Sequence, residues 1–161
     1  MTDNTSKITR AHRVPFFVPL LNPIVARLLR IGIPVGPMIL LTVRGRRTGQ
    51  PRTTPIVIFE RDGRRYVFAT FGEVNWVRNL RAAGEAVLTR GWRRQAVVAV
   101  ELTPQEAMPV LKDAVAPYLS SPVAAVVLRP QFDVAPDASL SDFLSEARRH
   151  PVFEVRDSHA A

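Results

Sequence analysis

Leu40-Leu-Thr-Val-Arg-Gly-Arg-Arg-Thr-Gly-Gln-Pro-Arg52 runs an apolar segment directly into a turn crowded with arginine. Met38 to Val43 is apolar and partly β-branched, the composition of a strand with one buried side. Gly45 and Gly49 punctuate a turn carrying Arg44, Arg46, Arg47 and Thr48, and Arg52 opens the next apolar run. The spacing predicts strand, turn and returning strand. Charges of one sign this close together repel. A multiply anionic ligand relieves that repulsion, because arginine forks engage phosphate or carboxylate bidentately and glycines let backbone N–H groups approach. An exposed loop in an arginine-rich chain is the plainer reading, and the turn alone does not separate the two.

Outward from this hairpin, Thr53 to Glu60 is again apolar and β-branched, and Arg61-Asp62-Gly63-Arg64 is a hairpin turn of the Asp-Gly type. Arg65 to Thr70 is expected to return as a third strand. Asn75-Trp-Val-Arg-Asn-Leu-Arg-Ala-Ala83 has helix-forming residues and stops at Gly84, with Trp76, Asn79 and Leu80 spaced to share a face. Ala86 to Arg90 and Arg93 to Leu102 pair around Gly91-Trp92 as a further hairpin. Thr103-Pro-Gln-Glu106 fits a capping box with proline at the first helical position, before a helix that Pro109 should distort and Pro117 should end. Ser120 to Asp137 is punctuated by proline and resists assignment. Ser139 to Arg149 is predicted to be a short helix with Leu140, Phe143, Leu144 and Ala147 as its stripe, and Pro151 to Val155 a last strand. Hairpin-joined strands with helices near the middle and end do not fit alternating βαβ units. Their simplest closure is a small antiparallel barrel with peripheral helices, α+β in class, as one domain over residues 1–161 with an N-terminal helical extension.

In that extension, residues 1–13 are polar and expected to be loose. Asn22-Pro23 resembles an N-cap followed by proline, and Gly32 stands where a C-terminal cap belongs. Between them Ile24, Leu28 and Ile31 form a stripe, with Val25 and Leu29 beside it and Arg27 and Arg30 opposite. A helix packed on the core accounts for this pattern. A basic amphipathic helix in peripheral contact with an anionic membrane is the sharper alternative.

Composition narrows the chemistry. The 161 residues are 47% hydrophobic, as in a globular domain, and 22 Lys+Arg against 14 Asp+Glu give a net charge of +8. Without cysteine, the chain can form neither disulfides nor thiolate metal sites and has no cysteine nucleophile. His12, His150 and His159 are the only imidazoles, so neither a metal centre nor a histidine triad is expected. The chemistry should then belong to a bound cofactor. The stretch from Val14 to Val35 is broken by Pro15, Pro19, Pro23, Pro34, Arg27 and Arg30, which argues against a membrane span and a signal peptide. A cytoplasmic location is expected, with membrane association left open.

The run from Leu41 to Arg52, then Pro55, then Ala69-Thr70, then Asn75-Trp76 and Asn79-Leu80, resembles the deazaflavin-dependent nitroreductase family. The resemblance covers about residues 37–119, with Pro151 to Val155 as its closing element. It implies a split β-barrel that binds coenzyme F420, an 8-hydroxy-5-deazaflavin with a phosphodiester and an oligoglutamate tail. By position, Arg46, Arg47, Thr48 and Arg52 would hold the phosphate and tail carboxylates. Pro55, Val57, Ala69 and Thr70 would line the ring, and Asn75, Trp76 and Asn79 would frame the phosphate or the ring edge. The activity implied is transfer of a hydride from the reduced cofactor to a small electron-poor acceptor: a quinone, an activated alkene or a nitroaromatic. Tyr118 is the candidate catalytic proton donor, with plain packing its alternative, and a homodimer is left open. Two departures stand out. Relatives carry lysine and glycine where this chain has Phe71-Gly72, and Ser120 to Ser139 is unlike their tyrosine-rich lid.

Three other readings compete. A nucleic-acid-binding barrel would use Phe71, Trp76 and Trp92 as stacking platforms, but Arg46 and Arg47 cluster at one turn rather than along a groove, so no nucleic-acid partner is expected. A non-enzymatic barrel for a lipid or other apolar ligand is favoured slightly by Phe71. FMN on the same fold is disfavoured because the resemblance lies in the tail-binding turn.

Overall fold

The computed structural model describes residues 17–158, with side chains from residue 22 onward. The polar segment 1–13 therefore lies outside the described residues. In chain order the elements are α1 (Phe17–Arg30), β1 (Met38–Arg44), β2 (Pro51–Arg61), β3 (Arg64–Phe68), α2 (Asn75–Ala83), β4 (Glu85–Arg90), β5 (Arg93–Glu101), α3 (Pro104–Leu119), α4 (Pro122–Leu128), α5 (Asp142–Arg149) and β6 (Val152–Asp157). The six strands close into an antiparallel barrel in the order β1-β2-β3-β6-β5-β4, with β4 paired back to β1. Closure removes free sheet edges, which a small β protein must otherwise protect. This is the antiparallel barrel expected from the hairpin pattern, and the split barrel that the family resemblance implied.

Period-2 alternation divides the strands between two cores. Ile39, Leu41, Val43, Ile56, Val67, Leu88, Val97, Phe153 and Val155 fill the barrel. The outward residues Tyr66, Phe68 and Val152 pack beneath α3 and α5 against Leu111, Val115, Leu119, Phe132 and Phe143. Removing a side chain such as Leu111 would cost about 2–5 kcal/mol through lost burial and the cavity left behind.

The two tight turns behave as their residues require. Asp62 and Gly63 both take positive φ, 51° and 72°, the pairing a two-residue hairpin favours. Gly84 caps α2 at φ 69°, its N–H donating to the Leu80 carbonyl. At α3, the Thr103 hydroxyl accepts from the Glu106 N–H while Glu106 reaches back to the Thr103 N–H at 2.9 Å, so the capping box is complete.

Several expectations are corrected. α1 begins at Phe17, so Pro23 lies inside the helix and not at its start; its missing N–H frees the carbonyl one turn back. The packed side of α1 centres on Leu29, with Ile24 and Ile31 exposed. The stripe is thus rotated away from the expected Ile24–Leu28–Ile31 line. Pro117 does not end α3, which continues to Leu119, where a fully buried leucine anchors the last turn. The unassigned stretch holds α4, and α5 begins at Asp142 because Ser139 and Asp142 form a local turn, with hydrogen bonds of 2.9 and 2.7 Å to the carboxylate. Leu140 accordingly falls before the helix and is exposed.

Candidate functional site

The β1–β2 turn is built by its glycines. The Gly45 N–H donates to the Gln50 carbonyl at 2.8 Å, and the Gly49 N–H to the Gly45 carbonyl at 2.8 Å. A Cβ on Gly45 would stand 3.1 Å from the Gln50 oxygen and 3.2 Å from the Thr48 hydroxyl, and Gly49 takes φ +69°. Both positions therefore favour glycine. With the backbone folded this tightly, Arg44, Arg46, Arg47 and Arg52 are all turned out to solvent.

A buried asparagine fixes this turn to the next element. Asn79, on α2, accepts through Oδ1 from the Arg46 backbone N–H at 3.2 Å and from the Arg46 guanidinium at 2.8 Å. The amide orients Arg46 without neutralising it. Arg44, Arg46, Arg47 and Arg52 have no carboxylate partner among the described residues.

From the turn a cavity of about 880 Å³ runs along the outside of β2. Arg46, Arg47, Thr48 and Arg52 line one end of it, with Asn75, Trp76 and Asn79 of α2 alongside. Pro55, Thr70, Phe71 and Phe68 line it further along, and Val57 lies opposite Met38 at its far end, with Asn22, Val25 and Val127 also in the lining. Along β2 the lining runs from Arg52, opposite Val43, to Val57, opposite Met38, which is five register steps of about 3.4 Å, roughly 17 Å. Its polarity falls from a guanidinium cluster to an apolar floor. The first turn of α2 opens into it with Val74 as N-cap, which offers no side-chain acceptor to the free N–H groups. Trp76 also packs on Phe153 at 6.1 Å between ring centroids, so this ring serves the core and the cavity together.

The structure thus brings together Arg46, Arg47, Thr48, Arg52, Pro55, Val57, Thr70, Asn75, Trp76 and Asn79. Two candidates fall outside. Ala69 is buried in the barrel core, because strand alternation turns it opposite to Phe68. Tyr118 is 44% exposed near the end of α3 and is not among the lining residues. Phe71, standing where a lysine was expected, is a wall of the cavity. Arg78 and Arg81 do not supply a replacement cation. Arg78 pairs with Glu73 at 3.3 Å, and Arg81 with Glu73 at 3.1 Å and Glu101 at 2.6 Å. The Glu101 hydrogen bond holds the Arg81 guanidinium above its ordinary value, and hydrogen bonds from Arg81 and Arg78 hold the Glu73 carboxyl below its own.

Behind the cavity wall lies a cluster that the sequence pattern did not single out. His150 is fully buried and stacks on Phe132 at 4.1 Å. Its Nδ1 is 2.8 Å from the Ala69 carbonyl oxygen, and its Nε2 is 3.1 Å from the Gln131 carbonyl oxygen and 3.3 Å from Glu146 Oε2. Carbonyl oxygens only accept, so a ring nitrogen bonded to either of them is the donor. Burial pushes the Glu146 carboxyl up, but the His150 hydrogen bond and the Arg149 and His150 charges outweigh it and hold it below its ordinary value. The cluster joins the end of β3, beside Thr70, to the segment following α4. The i,i+4 spacing of Glu146 and His150 was its one signal in the sequence.

These observations meet the comparisons with known proteins. The model of the F420H(2)-dependent quinone reductase family matches residues 26–122, and the chain belongs to that family. No curated protein matches the chain. A solved structure described as a domain-swapped dimer is 19% identical, covers 83% of this chain and 95% of its own, and superposes with a TM-score of 0.51, which shows the fold. A structure of an F420-H2-dependent reductase, FDR-A, is 21% identical over 74% of this chain and 94% of its own, with a TM-score of 0.49. A NimC/NimA family protein from Clostridium acetobutylicum is 14% identical, covering 86% and 85% of the two chains, with a TM-score of 0.44.

The cofactor of this family is coenzyme F420, and the donor set fits it. Guanidinium groups without carboxylate partners suit a phosphodiester and a polyglutamate tail, and the elongated cavity suits a ligand of that length. The protein is an F420-dependent oxidoreductase. Among the described residues no cluster could hold a metal ion, and no helix is long and apolar enough to cross a membrane.

Proposed function

We propose that the protein reduces a small electron-poor molecule of the quinone class, with activated alkenes and nitroaromatics as secondary acceptors. The observation that carries this is the continuity of one cavity from the Arg46–Arg52 turn to the apolar walls Pro55, Val57 and Phe71. Coenzyme F420, when bound, supplies a hydride from C5 of its deazaflavin ring. Arg46, Arg47 and Arg52 would bind its phosphate and tail carboxylates, with Thr48 and the α2 N-terminus as neutral donors. Asn79 positions Arg46 for that task. Pro55, Val57 and Thr70 would hold the ring against β2, and Phe71 and Trp76 would exclude water from the reacting face. Holding donor and acceptor together in a dry site is the protein's main contribution.

No aspartate, glutamate, histidine or tyrosine is among the residues lining the cavity. In this reading the proton that follows the hydride comes from solvent at the open end, not from Tyr118. The outward valines Val98 and Val100 on β5 are exposed, and we include self-association through that face as a homodimer, tested by sedimentation velocity. The deciding experiment supplies reduced coenzyme F420 deuterated at C5 together with a soluble quinone and follows the label. Deuterium transferred out of the cofactor at the turnover rate supports direct hydride transfer. Turnover with the label retained in the cofactor overturns it, and saturable binding of an apolar ligand without turnover would favour a non-enzymatic barrel.

A further inference from the structure

At the barrel end opposite the arginine turn, two glycines bring two loops together. β4 runs antiparallel to β1, which places the β4–β5 turn beside the start of β1. Gly32 takes φ +83° and Gly91 φ +58°, and a Cβ on Gly91 would stand 3.4 Å from the Gly32 Cα. This contact sets Ile31 and Ile33 next to Arg90 and Trp92. Trp92 is 88% exposed, Ile31 57% and Ile33 46%. The two-residue turn uses the left-handed glycine, and nothing in the fold uses the indole. A large aromatic and two isoleucines left in water at one place mark a contact surface.

The charge around them has one sign. Arg27 and Arg30 end α1, and Arg90, Arg93 and Arg94 flank the turn; all five are exposed and unpaired with any described carboxylate. The carboxylates nearest along the sheet are engaged elsewhere. Asp157 is held by Arg65 and Gln95, and Asp62 and Asp113 by Arg61. Glu60 belongs to the β2–β3 hairpin, which lies across the barrel from this turn.

We propose that this end of the barrel docks onto the surface of an anionic lipid bilayer. Trp92, Ile31 and Ile33 enter the boundary between headgroups and acyl chains, and the five arginines rest on headgroup phosphates. The aliphatic residues decide the partner: a nucleic acid could stack on Trp92 and pair with the arginines but gains nothing from two isoleucines. α1 lends only its last turn, since Leu29 is buried toward the barrel. None of these residues lines the cavity, so the proposal stands or falls independently of the cofactor.

The test is co-sedimentation of the full chain with vesicles of mixed phosphatidylglycerol and phosphatidylcholine, against phosphatidylcholine alone. Binding is expected to the mixed vesicles and to fade at high salt. Trp92→Ala should weaken it roughly tenfold or more. Arg90→Gln and Arg93→Gln should each weaken it about fivefold, the factor equivalent to ~1 kcal/mol per surface cation. These side chains are exposed, so unchanged melting curves would show that the variants fold. Failure of the parent to bind mixed vesicles overturns the proposal, as does equal binding by Trp92→Ala. Tighter Trp92-dependent binding to a single-stranded oligonucleotide than to vesicles would replace it with nucleic acid.

Discussion

The Arg46–Arg52 turn and the His150 cluster stand on either side of the same cavity wall, and they treat positive charge in opposite ways. At the turn, guanidinium groups face solvent with one neutral amide, Asn79, as their ordering partner. Behind the wall, the His150 ring meets two carbonyls and a carboxylate, and Arg149 neutralises that carboxylate from its other oxygen. A buried charge must be matched within the protein because water cannot reach it. An exposed cluster of like charges has no such requirement, and holding it in fixed geometry suits an anion arriving from outside. The unmatched group marks the ligand site, and the matched one marks what holds that site in place.

The comparison can be broken most forcefully at His150. His150→Leu removes the imidazole and leaves Glu146 buried with Arg149 and the Asp133 N–H as its remaining partners, while the Ala69 and Gln131 carbonyls lose their ring contacts. Breaking a buried pair from one side costs about 3–5 kcal/mol, which urea unfolding of the variant would register. A loss under about 1 kcal/mol would mean that the cluster is not an ion pair.

The opposite outcome is expected at the turn. Arg46→Ala and Arg52→Ala should leave unfolding almost unchanged and weaken binding of coenzyme F420 by about tenfold to a hundredfold, the equivalent of 1.5–3 kcal/mol for a charge-assisted contact. Fluorescence titration of the cofactor measures this, and a deazaflavin fragment without its tail should show a smaller difference. Equal binding of the complete cofactor by parent and variants would remove the turn from the site. Arg46→Ala should cost more than Arg52→Ala, because Asn79 holds the Arg46 guanidinium in a fixed place, while the residue-46 backbone N–H still satisfies the Asn79 oxygen in the variant.

These two regions also differ in how plainly the sequence announced them. The turn was legible because its signals are local: glycines at fixed offsets, arginines between them and β-branched runs on both sides. The barrel followed from the same kind of signal, since each hairpin declared its own turn. His150 was not legible as the centre of a buried cluster, because its partners at Ala69 and Gln131 are 81 and 19 residues away and are backbone atoms, which carry no side-chain signature. α4 was missed because its seven residues are too few to show a period, and the turnlike prolines around it were the stronger pattern. The packed face of α1 was misjudged for a related reason: a helical stripe with apolar residues on adjacent sides does not reveal which side the barrel will cover.

A gentler perturbation sharpens the contrast through pH. Glu146 binds its proton less readily in the folded chain than in the unfolded one, so it favours folding above the ordinary carboxylate range. That contribution is complete above the unfolded value and fades as the pH falls through the folded one. Glu73, Glu106, Asp142 and Glu154 are shifted the same way by their hydrogen bonds, so the acid limb of the stability curve is shared. Glu146→Gln should be less stable at neutral pH, yet lose less as the solution is acidified. Parallel curves for parent and variant would show that Glu146 carries no linked proton.

Tyr118 should give the smallest effect of all. A tyrosine that donates a proton in the rate-limiting step contributes typically 10²–10⁴-fold, and removing its hydroxyl would lower turnover by that factor. Here the side chain stands near the C-terminal end of α3, exposed, while Phe71, Trp76 and Val127 form the apolar walls of the cavity. Tyr118→Phe is therefore expected to change kcat less than about twofold. Solvent at the open end would then supply the proton, so turnover in deuterium oxide should slow equally for parent and variant. A hundredfold loss in Tyr118→Phe, with cofactor affinity unchanged, would require α3 and α4 to close over the cavity during turnover and carry the hydroxyl to the acceptor. It would also make the wall held by His150 a moving part, whose loosening in His150→Leu should then change kcat more than KM.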